Sequence, residues 1–260
     1  MTRLSVNVNK IAWLRNARGG GRPDLIASCT TILDAGAHGI TVHPRPDQRH
    51  ILPKDVTRIR DFLADYDSIE FNIEGNPNSG QQDNGYPGFT ALIEATRPNQ
   101  CTLVPDSEDQ LTSDHGWDLK DERTFAAAST HVRRYQDFGV RTSLFLDPDL
   151  DQVELVHELG ADRIELYTGP WVEATEDLGL DSDAANERLA EYKAAADRAL
   201  KLGLGVNAGH DLNQSNVAKF CGISDIAEVS IGHALISDAL DDGLSTTVKN
   251  YLAAMRHGLE

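Results

Sequence analysis

Short apolar or β-rich runs recur along the chain: Leu4–Asn9, Gly39–His43, Ile69–Glu74, Gln100–Pro105, Arg141–Asp147, Arg163–Thr168, Leu204–His210 and Ala227–Gly232. Most are near-continuous rather than alternating, the pattern of strands covered on both faces. Between them, amphipathic periodicity predicts helices over Pro23–Ala35, Pro53–Tyr66, Glu122–Phe138, Asp149–Leu159, Asp183–Leu202 and Thr246–His257. Pro23-Asp24 is a favourable helix start, and Val56, Ile59, Phe62 and Leu63 share one face of the second helix. Four helices run into a glycine shortly before a strand, at Gly36, Gly139, Gly160 and Gly203, each suited to the left-handed position that stops a helix. Strand–helix alternation repeated through 260 residues predicts an α/β fold, a parallel eight-stranded (β/α)8 TIM barrel with extra short helices, as one domain over 1–260. A doubly wound open sheet is the alternative. It is disfavoured because no strand leads into a Gly-x-Gly-x-x-Gly turn and no second domain is needed to use the length. The polar stretches Asn76–Pro87 and Asp106–Asp118 are predicted as loops long enough to be lids.

Charge narrows the partners. With 41 acidic and 24 basic residues the net charge is −17, so no basic stripe for nucleic acid and no attraction to an anionic membrane are expected. An anionic ligand must be captured locally, by a few focused cations and backbone amides. The three cysteines, Cys29, Cys101 and Cys221, are odd in number and far apart, which argues for a reducing compartment and against a disulfide framework. No signal-peptide core and no membrane-length apolar run is present, so a soluble cytoplasmic protein is expected.

Barrel chemistry sits at the C-terminal ends of the strands. Applied here, that rule gathers Asn7, Asn9 and Lys10 after strand one; His43, Arg45, Arg49 and His50 after strand two; and Glu70, Asn72 and Glu74 on strand three. Glu165 and Tyr167 follow on strand six, Asn207, His210 and Asp211 on strand seven, and Ser230 and His233 on strand eight. Singly, each has an ordinary structural explanation: Glu70 paired with a nearby cation, the asparagines as strand-end caps, Arg18 as a surface charge. Convergence favours function, since His43, His210 and His233 would terminate three strands at one end of one barrel. Gly209-His210 and Gly232-His233 suit a phosphate site built on backbone amides and a helix N-terminus. Arg45, Arg49 and His50 suit a second anion site. Two anion sites point to two phosphorylated substrates or one bisphosphate. Metal is a weaker reading, because an arginine beside His43 repels a cation. A Schiff base on Lys10 is a further alternative.

The segments Val6-Asn-Val-Asn-Lys-Ile-Ala-Trp-Leu-Arg-Asn-Ala-Arg-Gly19, Gly39-Ile-Thr-Val-His-Pro-Arg-Pro-Asp-Gln-Arg-His-Ile51, Asn207-Ala-Gly-His210 and Ile231-Gly-His-Ala-Leu-Ile236 together resemble the pyridoxine 5′-phosphate synthase family of vitamin B6 biosynthesis. The similarity runs in order over nearly the whole chain. It implies a (β/α)8 barrel, a homo-octamer built from dimers, and a ring-closing condensing transferase. Such an enzyme joins 1-deoxy-D-xylulose 5-phosphate to 3-amino-2-oxopropyl phosphate, giving pyridoxine 5′-phosphate, phosphate and water, with no metal or organic cofactor. The resemblance implies general bases at His43 and Glu70, charge stabilisation by Glu165 and proton donation by His210. It implies that Arg45, His50 and Thr112 hold the pentulose phosphate, and that Asn7, Arg18, Gly232 and His233 hold the aminoketone phosphate. The best-described members carry an Asp-His pair where this chain has Asn9-Lys10, and a glycine where it has Asp211. Lys10 can still donate to an anion, Asn9 can still hydrogen-bond, and Asp211 can serve only through its backbone amide. The Asn76–Pro87 loop is longer than in those members. A phosphosugar aldolase or isomerase using Lys10, and a non-catalytic sugar-phosphate sensor, are the competing expectations.

Overall fold

The structure, a computed structural model, is described for residues 1–108 and 110–257. Eight parallel strands close a barrel in chain order: β1 (Arg3–Asn7), β2 (Gly39–Val42), β3 (Glu70–Gly75), β4 (Gln100–Leu103), β5 (Arg141–Leu146), β6 (Arg163–Leu166), β7 (Gly205–Ala208) and β8 (Glu228–Ile231). β8 pairs back onto β1, with Leu4 opposite Val229. Around the barrel lie α1 (Asn9–Asn16), α2 (Leu25–Asp34), α3 (Pro53–Leu63), α4 (Phe89–Thr96), α5 (Glu122–Asp137), α6 (Leu150–Leu159), α7 (Gly169–Leu178), α8 (Asp183–Lys201), α9 (Val217–Cys221), α10 (His233–Asp242) and α11 (Leu244–His257). This is the predicted (β/α)8 architecture. The glycines expected to stop helices do so, with φ of +105° at Gly36, +77° at Gly139, +86° at Gly160 and +84° at Gly203.

The strands differ from the expected near-continuous pattern. They alternate, as in Arg3-Leu4-Ser5-Val6-Asn7 and Glu70-Phe71-Asn72-Ile73-Glu74. The apolar set, including Leu4, Val6, Ile73 and Val229, joins the helices in the main core. The polar set turns inward and hydrogen-bonds across the barrel. Ser5 pairs with Thr41 at 2.7 Å, Thr102 donates to Glu165 at 3.2 Å, and Asn207 of β7 reaches Gln100 of β4 at 3.4 Å. Buried polar atoms need such partners, so the barrel interior forms a second, polar core.

The first apolar run predicts a strand to Asn9, but β1 ends at Asn7 and α1 begins at Asn9. Its N-cap, Val8, makes no side-chain cap, so the sequence carries no start signal there. Lys10 therefore lies in the first turn of α1, not at a strand end. Arg15 anchors the helix through two 2.7 Å bonds to the buried Asp55 of α3. Asn16 then donates to the His50 carbonyl at 2.7 Å. These ties fix the segment after β2.

Candidate active site

One cavity of about 310 Å³ opens at the C-terminal end of the barrel. Its lining includes Asn7, Asn9, Lys10, His43, Arg45, His50, Glu74, Thr112, Glu165, His210, Asp211, Gly232 and His233. His43 follows β2, and its backbone N–H donates to Asn9 Oδ1 at 2.9 Å. Asn7 completes this support: Oδ1 accepts from the Asn9 amide at 3.0 Å, and Nδ2 donates to Glu74 at 3.3 Å. His43 Nδ1 stands 3.9 Å from Glu74 Oε2. Burial, reinforced by Arg45 and His50, holds His43 well below its ordinary pKa, so it is a neutral base at pH 7. Burial, with Asp106 and Glu228 adding repulsion, pushes Glu74 up to about 8. Glu165 is raised well above the carboxylate range by burial and by Glu74. At neutral pH the cavity thus pairs an unprotonated imidazole with protonated carboxyls.

Two anion-binding arrangements flank these groups. On one side, Gly232 caps α10, whose first-turn amides have no partner within the helix. A Cβ at Gly232 would lie 3.1 Å from Asn7 Cβ, so the glycine lets β8 close against β1. At Gly209, with φ +154°, a Cβ would fall 2.0 Å from the Ser230 carbonyl, which bars any larger residue. On the other side stand Arg45, His50 and Lys10. His50 Nδ1 accepts from the Ile51 amide at 2.9 Å, which leaves Nε2 to carry the proton. Burial, Arg45 and Lys10 depress His50 to about 3, so it is a neutral N–H donor. Lys10 is lowered by burial and by Arg45 and Arg49, and its ammonium lies 4.5 Å over the Trp13 ring.

The loop after β4 closes the cavity. Asp106 accepts from Arg45 and, at 2.8 Å, from Ser113. Arg49 donates to the carbonyls of Gln110 at 3.2 Å and Leu111 at 3.1 Å. Arg49 therefore latches the loop that carries Thr112. The Asn76–Pro87 loop braces both neighbours. Asn84 donates to Pro46 O and accepts from Gln48 through its own carbonyl, both at 2.8 Å. Gln82 donates to Glu108 at 2.9 Å and Asn76 to the Asp106 carbonyl at 2.9 Å.

The family model described as "Pyridoxal phosphate biosynthesis protein PdxJ" matches residues 4–257. The chain belongs to the PdxJ family. It is 50% identical over 258 residues to the pyridoxine 5′-phosphate synthase of Xanthomonas campestris pv. campestris, covering 99% of this chain and 97% of that one. Identity to the enzyme of the same name from Leptospira biflexa is 45%, covering 100% of this chain and 99% of that one. Among solved structures, phosphoribosyl anthranilate isomerase from Thermotoga maritima superposes with a TM-score of 0.61 at 11% identity, covering 98% of this chain and 99% of that one. At that identity the likeness reports the barrel alone.

Against this PdxJ site, two expected residues fall elsewhere. Glu70 lies at the N-terminal end of β3, roughly 13 Å along the strand from Glu74. It contacts Arg141 and stands 3.6 Å from Arg3, and it does not line the cavity. The carboxyl beside His43 is Glu74. Both point inward because strand side chains alternate with period two, and only height in the barrel separates them. Arg18 is exposed beyond the end of α1 and is absent from the lining. With Arg15 and Asn16 fastened to α3 and to the His50 segment, the chain leaves the barrel mouth before Arg18. The other expected residues converge. Ser230, gathered from the end of strand eight, lines it too, as do Trp13, Ser113 and Phe145, which the sequence did not single out. Among the described residues no group of three or more His, Cys, Asp or Glu is arranged to hold a metal, and no helix is long and apolar enough to cross a membrane.

Proposed function

We propose that the chain is a pyridoxine 5′-phosphate synthase that condenses 1-deoxy-D-xylulose 5-phosphate with 3-amino-2-oxopropyl phosphate. The observation that carries the reading is one cavity in which two anion-binding arrangements flank His43, Glu74, Glu165 and His210. Arg45, His50 and Thr112, with Lys10, hold the pentulose phosphate. Asn7, Gly232, His233 and the first turn of α10 hold the aminoketone phosphate, and the Asp211 amide adds a donor from its backbone. Asn9 orients His43. The substrate amine condenses with the other substrate's ketone, so no enzyme lysine is needed. Carbonyl condensation, phosphate loss and ring closure each require protons to move among carbon, nitrogen and oxygen. Neutral His43 removes protons. Glu74 takes the role first assigned to Glu70; it holds a proton at neutral pH, so it donates before it accepts. Glu165 stabilises developing charge and His210 returns protons. The loop carrying Thr112 excludes water that would hydrolyse imines.

On this reading the enzyme uses no metal or organic cofactor, works in the cytoplasm and assembles as a homo-octamer, a tetramer of dimers. Exposed Leu14 and Leu240, at 57% and 77%, are apolar surface available to such assembly. Light scattering on a size-exclusion column reads the mass directly. Activity is tested by mixing both substrates and following pyridoxine 5′-phosphate absorbance and released phosphate. Both should appear together, and neither should with one substrate alone. Absence of product at high enzyme concentration, or a borohydride-trapped adduct on Lys10, would reject the reading in favour of an aldolase or a sensor.

A further inference from the structure

Asp211 follows His210 in the turn after β7, with φ of +64°. That left-handed region is costly for most residues with a Cβ, although Asp and Asn tolerate it best. Gln48 and Arg97 are the other non-glycine residues there among those described, and only Asp211 lines the cavity. A strained backbone at a site is a reason to ask what its side chain does. Here the carboxylate Oδ2 stands 3.5 Å from His210 Nε2.

The rest of the His210 environment is fixed. Its ring packs edge-on to Tyr167 at 5.3 Å and to Phe145 at 6.0 Å, and its carbonyl accepts from the Thr168 hydroxyl. Charged and titratable groups surround it from every side: Lys10 from α1, His43 and Arg45 from the end of β2, Asp106 from the loop after β4, and Tyr167 after β6. Burial, Arg45 and Lys10 disfavour a charged imidazole; Asp211 first and Asp106 second oppose them. The balance still lies below the ordinary histidine value, and Asp211 is the largest influence limiting that fall.

We infer that Asp211 is a positioning residue that grips His210 at Nε2 and supplies the counter-charge for its protonated form, leaving its other N–H free to protonate the substrate. This rests on the reading of His210 as proton donor. A glycine in this position would relieve the backbone but strip the donor of its counter-charge.

Asp211→Asn and Asp211→Gly test this, since both residues accept the left-handed backbone. NMR titration of the histidine rings, with His210 assigned by its loss in His210→Gln, should show His210 taking up its proton at lower pH in both variants. The pH at which kcat begins to fall should move down with it in both variants. An unmoved His210 titration, or kcat lowered equally at every pH, overturns the inference. A moved titration with an unmoved pH profile of kcat upholds the grip on His210 and overturns its donor role instead.

Discussion

The two ends of the barrel each bury carboxylates and treat them differently. At the N-terminal end, Glu70 meets Arg141 and Arg3, and Glu228, raised to about 7 by burial, is held down in part by Arg163, Arg141 and Arg3. At the C-terminal end, among the described residues, Glu74 has no ion-pair partner except His43 at 3.9 Å, and Glu165 has a single hydroxyl donor, Thr102. At the N-terminal end the arginines oppose the effect of burial on Glu228. Burial, with repulsion from Asp106 and Glu228, pushes Glu74 to about 8, into the range where a carboxyl can exchange its proton. On the proposed mechanism, the same residue type on the same strand serves as a structural tie at one end and as an acid–base group at the other.

The largest effect should come from His43. His43→Ala should lower kcat by about a hundredfold or more while KM for each substrate changes little, read by steady-state kinetics. Unchanged turnover would remove its role as base. The next effect is on pH. Glu74 holds its proton up to about 8, so kcat should fall as pH rises beyond that value. Stability should fall over the same approach. The folded state binds a proton that the unfolded chain, with its carboxyl near 4.5, has released, so the benefit is complete below about 4.5 and lost as pH rises through about 8. Glu74→Gln should flatten this slope in denaturant titrations at pH 5 and pH 8.5.

At the other end, Glu70→Gln should cost about 2 kcal/mol of stability, because Arg141 loses its carboxylate contact. Urea unfolding measures this. The smallest effect is expected at the brace. Asn84→Ala removes one side-chain bond to Pro46 and should cost about 1 kcal/mol, with KM for the pentulose phosphate rising roughly twofold. A larger effect on kcat than on KM would show that this loop does more than hold the phosphate segment.

Much of this was legible in the chain. Periodicity and the helix-stopping glycines specify the barrel, because both are local. The histidines and glycine-histidine ends locate the mouth, because strand ends follow from strand positions. Height within a strand is less legible. Glu70 and Glu74 lie on the same face, and only the rule that chemistry gathers at C-terminal ends favours Glu74. Arg18 needed the path of the chain after α1, which the Arg15–Asp55 and Asn16–His50 ties decide across the fold. The neutral tautomer of His50 and the latch made by Arg49 depend on partners that sequence spacing does not display.

The central claim is that Glu74 does the chemistry and Glu70 holds the barrel. Product formation by Glu74→Gln and Glu70→Gln, each shown folded by circular dichroism and assayed with both substrates at saturation, tests it most directly. The account predicts at least about a hundredfold loss of kcat in Glu74→Gln and kcat within about threefold of the unsubstituted enzyme in Glu70→Gln. Loss of turnover in folded Glu70→Gln with retention in Glu74→Gln would contradict it.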